Sequence, residues 1–190
     1  MKAVLASRNA HKARELERLL PGWTIEPLDV DGYPPETAGS YYGNARIKAE
    51  FGRTRAPADA WVLAEDSGIE VAALGGRPGV QSARYAPEGP PAIAKLLAEL
   101  DGIDDRRGRY VSELVALAPD GREVRGTGVF EGRVAYEPRG SEGFGYDPVF
   151  IPDGEERTVA ELGDAYKEQH SHRARAVRAL REALDREPLA

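Results

Sequence analysis

Trp61-Val62-Leu63-Ala64-Glu65-Asp66-Ser67-Gly68 is the stretch from which the fold is read. Four consecutive apolar residues run directly into two carboxylates, a serine and a glycine. The pattern predicts a strand buried on both faces that stops abruptly at an acidic turn. A strand covered on both faces belongs in an α/β sheet with helices above and below it. Ligands in such sheets commonly bind at the carboxyl ends of the strands, where loops vary while the sheet holds them still. The turn is therefore the first candidate site.

The flanking sequence fits that sheet. Upstream, Ala3 to Ala6 has strand length, His11 to Leu20 places Ala13, Leu16, Leu19 and Leu20 at helical spacing, and Thr24 to Leu28 reads as a second strand. Asp31-Gly32-Tyr33-Pro34-Pro35 can continue no regular element, and Glu36 follows it. Tyr42 to Arg55 reads as a helix with Ala45, Ala49 and Gly52 on one line and Lys48 between its apolar stripes. Downstream, a glycine-rich stretch, Gly75 to Gly79, precedes a helix over Pro91 to Leu100. Between Arg109 and Ala135 the period falls to two, which predicts an antiparallel meander turning at Pro119-Asp120-Gly121. The tail from Asp164 to Arg186 is helix-prone and basic, with Ala174, Val177, Leu180 and Leu184 forming an apolar seam. The class expected is α/β with a mixed sheet, in one domain spanning residues 1–190.

Composition narrows the chemistry. Without a cysteine there is no disulfide, thiolate zinc site or cysteine nucleophile, so any metal must sit on oxygen or histidine, of which there are three. The first apolar run is too short for a signal peptide or a membrane span, so the expected setting is the cytoplasm, with no membrane partner. A net charge of −6 argues against a protein that coats nucleic acid, because such binding neutralises many phosphates. A small anionic ligand remains compatible if cations gather locally.

Four groups of residues can carry chemistry, and each has a plainer reading beside it. Glu36, after stiff prolines, and Asp66, at a strand end, suit hard magnesium, which takes few carboxylates and keeps water and phosphate as its other ligands; Asp66 can also accept a proton from attacking water. Solvated turn acids are the commoner reading of such residues. Asn9 and Lys12 lie where a helix N-terminus favours an anion, though Asn9 can simply cap that helix and Lys12 be an exposed first-turn residue. Gly143-Phe144-Gly145-Tyr146-Asp147-Pro148 can stack and hydrogen-bond a nucleobase, or plug the end of the sheet. Lys167, His172 and Arg173 can grip phosphates and a base carbonyl, or form a solvated basic face. On one unbroken helix these three would point in different directions, so a shared ligand predicts a break near Gln169 to Ser171.

Taken in order, these segments resemble the inosine triphosphate pyrophosphatase family over nearly the whole chain. The resemblance rests on Ser7-Arg8-Asn9-Ala10-His11-Lys12, Glu36-Thr37, Asn44-Ala45-x-x-Lys48, Glu65-Asp66-Ser67-Gly68 and Ala73-Leu74-Gly75-Gly76-x-Pro78-Gly79. It continues through Ser82-Ala83-Arg84-Tyr85, Gly143 to Pro148, and Lys167 with Ser171-His172-Arg173. It implies an elongated mixed sheet flanked by helices, two lobes with a substrate cleft between them, and a homodimer. It also implies magnesium-dependent hydrolysis of non-standard purine nucleoside triphosphates (ITP, dITP, XTP) to the monophosphate and pyrophosphate. By that resemblance Glu36 and Asp66 bind magnesium and Asp66 accepts the proton of the attacking water. Ser7, Arg8, Asn9, Ala10, His11, Lys12, Lys48, Ser67 and Lys167 hold the triphosphate and ribose. Phe144, Gly145, Tyr146, Asp147, His172 and Arg173 read the base.

The chain departs from the family pattern in three places. Arg8 replaces the usual glycine, Glu65 stands where bacterial relatives often carry aspartate, and Gly43 replaces a common glutamate, a change expected to matter little. A pyrophosphatase for another modified nucleotide, and a nucleic-acid-binding module using the basic tail, are the rival functions.

Overall fold

The structure, a computed structural model, describes residues 1–7 and 9–186. The chain runs β1 (Lys2–Leu5), α1 (Ala10–Leu19), β2 (Thr24–Pro27), α2 (Tyr41–Arg53), β3 (Trp61–Val71) and α3 (Pro90–Glu99). Two long strands follow, β4 (Arg107–Leu117) and β5 (Glu123–Val134), then β6 (Phe150–Pro152), α4 (Val159–Leu162), α5 (Asp164–His170) and α6 (His172–Arg186). The six strands form one sheet in the order β2-β1-β3-β4-β5-β6. β1 is parallel to both β2 and β3, and β5 pairs antiparallel with β6, so the sheet is mixed, as expected.

Two sequence expectations are corrected. Glu65-Asp66-Ser67-Gly68 does not end its strand: β3 continues through it to Val71. Carboxylates look like a strand end because burying them unpaired is costly, but here both side chains find partners and the pairing continues. The expected meander is a single hairpin of two long strands closed by the turn at Ala118–Arg122. Buried Ser112 and Glu113 interrupt the apolar pattern within β4 without interrupting the strand.

The chain divides into two compact units. The first comprises residues 1–66, 112–128 and 173 onward. Within it, α1 starts at Asn9, whose side chain accepts from His11 N and Lys12 N, and it ends just before Pro21. Alternation along β3 divides its side chains between two layers. Trp61 and Leu63 join Leu16 of α1 and Val177 and Leu180 of α6, whereas Val62 and Ala64 join Ala45 and Ala49 of α2. α6 lies hard against β5: a Cβ at Gly126 would stand 2.0 Å from Ala176 O.

The second unit comprises residues 67–111 and 129–172. Ile69 and Val71 pack there with Leu96 of α3, Phe130 and Phe150, and Tyr110 meets Phe150 edge-on at 4.8 Å. Buried Arg106 donates to the carbonyls of Leu100 (2.7 Å), Ala135 (2.9 Å) and Val134 (3.3 Å), tying the end of α3 to the end of β5. α5 ends at Ser171, whose extended backbone (φ −62°, ψ 162°) breaks the tail where the sequence predicts a break. Among the described residues no helix is long and apolar enough to cross a membrane.

Candidate active site

Successive residues of a strand point to opposite faces, and this separates Glu65 from Asp66. Asp66 shares the face of Val62 and Ala64, toward α2. Asn44 and Lys48 stand one helical turn apart on α2, on its buried side, and both reach Asp66. Lys48 Nζ donates to Asp66 Oδ1 at 3.1 Å and to Glu36 Oε1 at 2.7 Å. Asn44 Nδ2 donates to Asp66 Oδ2 at 3.0 Å, and Asn44 Oδ1 accepts from Ala38 N at 3.0 Å. Glu36 and Asp66, thirty positions apart in sequence, thus converge on one ammonium.

The electrostatics follow from burial. Asp66 is 6% exposed, and burial is the main cause lifting its carboxyl above the ordinary value of 3.8; Lys48 opposes the rise and Glu36 adds to it. For Lys48, burial alone would lower the pKa, but the charges of Asp66 and Glu36 outweigh it and raise the ammonium above its usual 10.5. The pair is a carboxylate under desolvation strain beside a lysine locked in its charged form.

Glu65 faces the other layer, and its side chain is completely enclosed. It accepts from Ser112 Oγ at 2.8 Å, from Arg173 Nε at 3.1 Å and Nη2 at 2.9 Å, and pairs with Lys12 Nζ at 2.9 Å. Arg173 also pairs with Glu15 through Nη1. Burial disfavours the Arg173 cation, and the two glutamates more than restore it, so the guanidinium is held charged. The position that sequence left open is therefore an anchor that fixes two cations.

In the second unit Asp147 is the centre. Its Oδ2 accepts from Lys167 Nζ at 2.8 Å and from Phe144 N at 2.9 Å, and the Lys167 ammonium lies 4.4 Å from the centre of the Phe144 ring. Gly143 makes this turn possible: its φ is +79°, and a Cβ there would stand 2.2 Å from Asp147 Oδ2. Tyr146, buried, has its phenol pushed up to about 12 and stays protonated at neutral pH. His172 stacks on Tyr110, ring centres 4.7 Å apart and planes 9° from parallel.

Asp66, Glu36 and Lys48 are thus brought together within the first unit, which also holds Lys12 and Arg173 against Glu65. Phe144, Asp147 and Lys167 are brought together within the second, where Gly145, Tyr146, Ser67 and His172 also lie. Asn9 caps α1, the plainer of its two readings, and Ser7 Oγ accepts from Asn9 N at 3.1 Å. Lys12 does not follow its plainer reading, since it is only 15% exposed and paired. His11 Nδ1 meets Arg14 Nη2 at 3.1 Å. Arg8 lies outside the described residues, as does the side chain of Ala10.

Sequence reasoning missed the contacts of Asn44, Glu15, Ser112 and Tyr110. Asn44 carried a usable signal, because its spacing of four from Lys48 sets both on one helical face. Glu15 carried none, since its partner is 158 positions away.

The donor set fits magnesium. Two carboxylates already gather round one cation, and magnesium asks for one or two such ligands with water and phosphate as the remainder. Among the described residues no cluster of three or more His, Cys, Asp or Glu forms a complete protein cage.

Residues 3–183 match the model of the Ham1 family. The chain is 47% identical over 200 residues to a dITP/XTP pyrophosphatase of Opitutus terrae, covering 96% of this chain and 98% of that one. It is 45% identical over 197 residues to a dITP/XTP pyrophosphatase of Mycobacterium tuberculosis, covering 96% and 95%. Among solved structures it superposes on the Staphylococcus aureus Ham1 protein with a TM-score of 0.84 at 34% identity, covering 98% of this chain and 100% of that chain. A Mycobacterium abscessus nucleoside-triphosphatase, described as a dITP/XTP pyrophosphatase, gives a TM-score of 0.71 at 40% identity over 95% and 97% of the two chains.

Proposed function

Since the chain belongs to the Ham1 family, we propose that it is a magnesium-dependent pyrophosphatase for deaminated purine nucleoside triphosphates (dITP, XTP and ITP), working as a homodimer in the cytoplasm. The observation that carries this reading is the convergence of Glu36 and Asp66 on Lys48 beside a buried, charged network. The names of the relatives supply the substrate class.

Glu36 and Asp66 hold the metal, which supplies charge neutralisation at the phosphates and lowers the pKa of water near it. Asp66, its basicity raised by burial, takes the proton of the water that attacks the α-phosphorus. The new bond is phosphorus to water oxygen, the bond that breaks is the α–β anhydride, and pyrophosphate leaves with its electron pair. Lys48, kept protonated by the carboxylates around it, turns its ammonium to the phosphate charge. Lys12 and Lys167, with Ser7, Asn9, His11 and Ser67, complete the grip on triphosphate and ribose. Phe144 to Asp147, His172 and Arg173 read the base. Arg173 meets a base only by turning a guanidinium N–H away from Glu65 or Glu15; a charged donor there suits the 6-oxo group of hypoxanthine or xanthine and leaves the 6-amino group of adenine unmatched, at a cost of about 1–3 kcal/mol.

The test is to incubate the protein with magnesium and each of ITP, XTP, dITP, GTP and ATP in ¹⁸O-water. Pyrophosphate should be released from the first three, with the label in the nucleoside monophosphate. Orthophosphate as the first product, or label in pyrophosphate, would refute the mechanism.

A further inference from the structure

Asn44 is not among the residues assigned a role above, yet it is completely buried and both ends of its amide are used. Its oxygen accepts from Ala38 N, and a main-chain N–H can only donate, so the orientation of the amide is settled and its nitrogen must face Asp66 Oδ2. Ala38 lies two residues after Glu36, in the same loop. A closed circuit results: Glu36 to Lys48 to Asp66 to Asn44 to Ala38, and back along the chain to Glu36. Lys48 fixes the two carboxylates by charge, and a metal held by both would compete with it for them. Asn44 does not compete with a cation: it donates to the Asp66 oxygen that Lys48 leaves and holds the Glu36 loop by its main chain.

The loop reaches Asn44 because the preceding residue has no side chain. A Cβ at Gly43 would stand 2.4 Å from Ala38 Cβ, closer than any packing allows. The substitution of Gly43 for a common glutamate, expected from sequence to matter little, is therefore where the loop closes on α2. Ser40, which caps α2 by accepting from Gly43 N at 3.1 Å, pins the same turn.

We propose that Asn44 is a positioning residue for the metal site, a latch that sets the separation of Glu36 and Asp66 before metal arrives, and that bare Gly43 lets the loop engage it. This deepens the proposed function and rests on its assignment of the two carboxylates. Groups that orient metal ligands typically account for about 10–100-fold in metal affinity or activity.

The experiment is Mn²⁺ binding to the full chain without nucleotide, followed by electron paramagnetic resonance, for wild type, Asp66→Asn, Asn44→Ala and Gly43→Ala, each checked by thermal melting. Asn44→Ala should weaken Mn²⁺ binding by about 10–100-fold. With ITP, its half-saturating Mg²⁺ should rise while kcat at saturating Mg²⁺ returns toward wild type, a split that simple loss of fold would not give. Wild-type Mn²⁺ affinity in Asn44→Ala overturns the latch. If Asn44→Ala loses its cooperative melt, Gly43→Ala is decisive, because it leaves Asn44 in place and alanine is a better helix former than glycine. It should bind Mn²⁺ more weakly while still melting cooperatively, since the helix is kept and the loop is what must move, and undiminished binding overturns the proposal. Asp66→Asn separates the two readings: if it binds Mn²⁺ as wild type does, the metal assignment itself is wrong, whereas if it alone loses Mn²⁺, only the latch fails.

Discussion

Asp66→Asn retains the size of the side chain and removes the proton acceptor. It should lower turnover by about 10²–10⁴-fold while the protein still melts cooperatively, and substantial residual activity would move the role elsewhere. The raised pKa of Asp66 has a thermodynamic sign as well. The folded state holds this proton more tightly than the unfolded chain, so stability declines as pH rises from the unfolded value of 3.8 through the higher folded one. In metal-free protein an NMR titration should place the Asp66 midpoint above 3.8, and Asp66→Asn should flatten the loss of stability across that window. Arg173→Ala strands two buried glutamates, so it should cost about 3–5 kcal/mol by denaturant melting as well as reduce the preference for ITP over ATP. At this scale the sequence exposed the residue types and not their pairings. Glu65 and Asp66 are neighbours in the chain, but strand alternation sends them to different layers and different tasks. Only the parity of β3, once the strand is known to continue, reveals that.

Among the elements, helices were the most legible. The apolar spacing of α1, α2 and α3 set their limits within a residue or two, because each buries one stripe and is closed by a cap, a proline or a glycine. β3 and β4 were cut short in the reading because their buried polar residues find partners from distant segments, and a local window cannot see those segments. β5 carries a sharper constraint. Gly126 lies under α6 with no room for a methyl group, so Gly126→Ala should displace the helix and destabilise the protein by at least about 1–3 kcal/mol. A melting temperature equal to wild type would show that α6 can retreat without loss. The same contact explains why a glycine sits inside a strand, where it otherwise weakens the element.

For the whole molecule, light scattering should give twice the chain mass of 20.6 kDa if the proposed homodimer forms, and a mass of 20.6 kDa would reject it. The α/β class and the mixed sheet were readable because buried apolar runs alternate with amphipathic helices from the first residues on. The division into two units was expected from the family resemblance alone and not from local pattern, because each unit is assembled from separated segments with no linker composition between them. The first unit has a consequence for synthesis. Its core joins Leu5, Leu16 and Leu63 to Val177 and Leu180, and its buried ion pair joins Glu15 to Arg173. A ribosome delivers these partners in order from the N-terminus, so the share of the β1 and β3 face that α6 covers stays open until α6 has left the exit tunnel. The second unit, whose segments end at residue 172, has all its parts before then. The part of the protein made first is thus the part finished last.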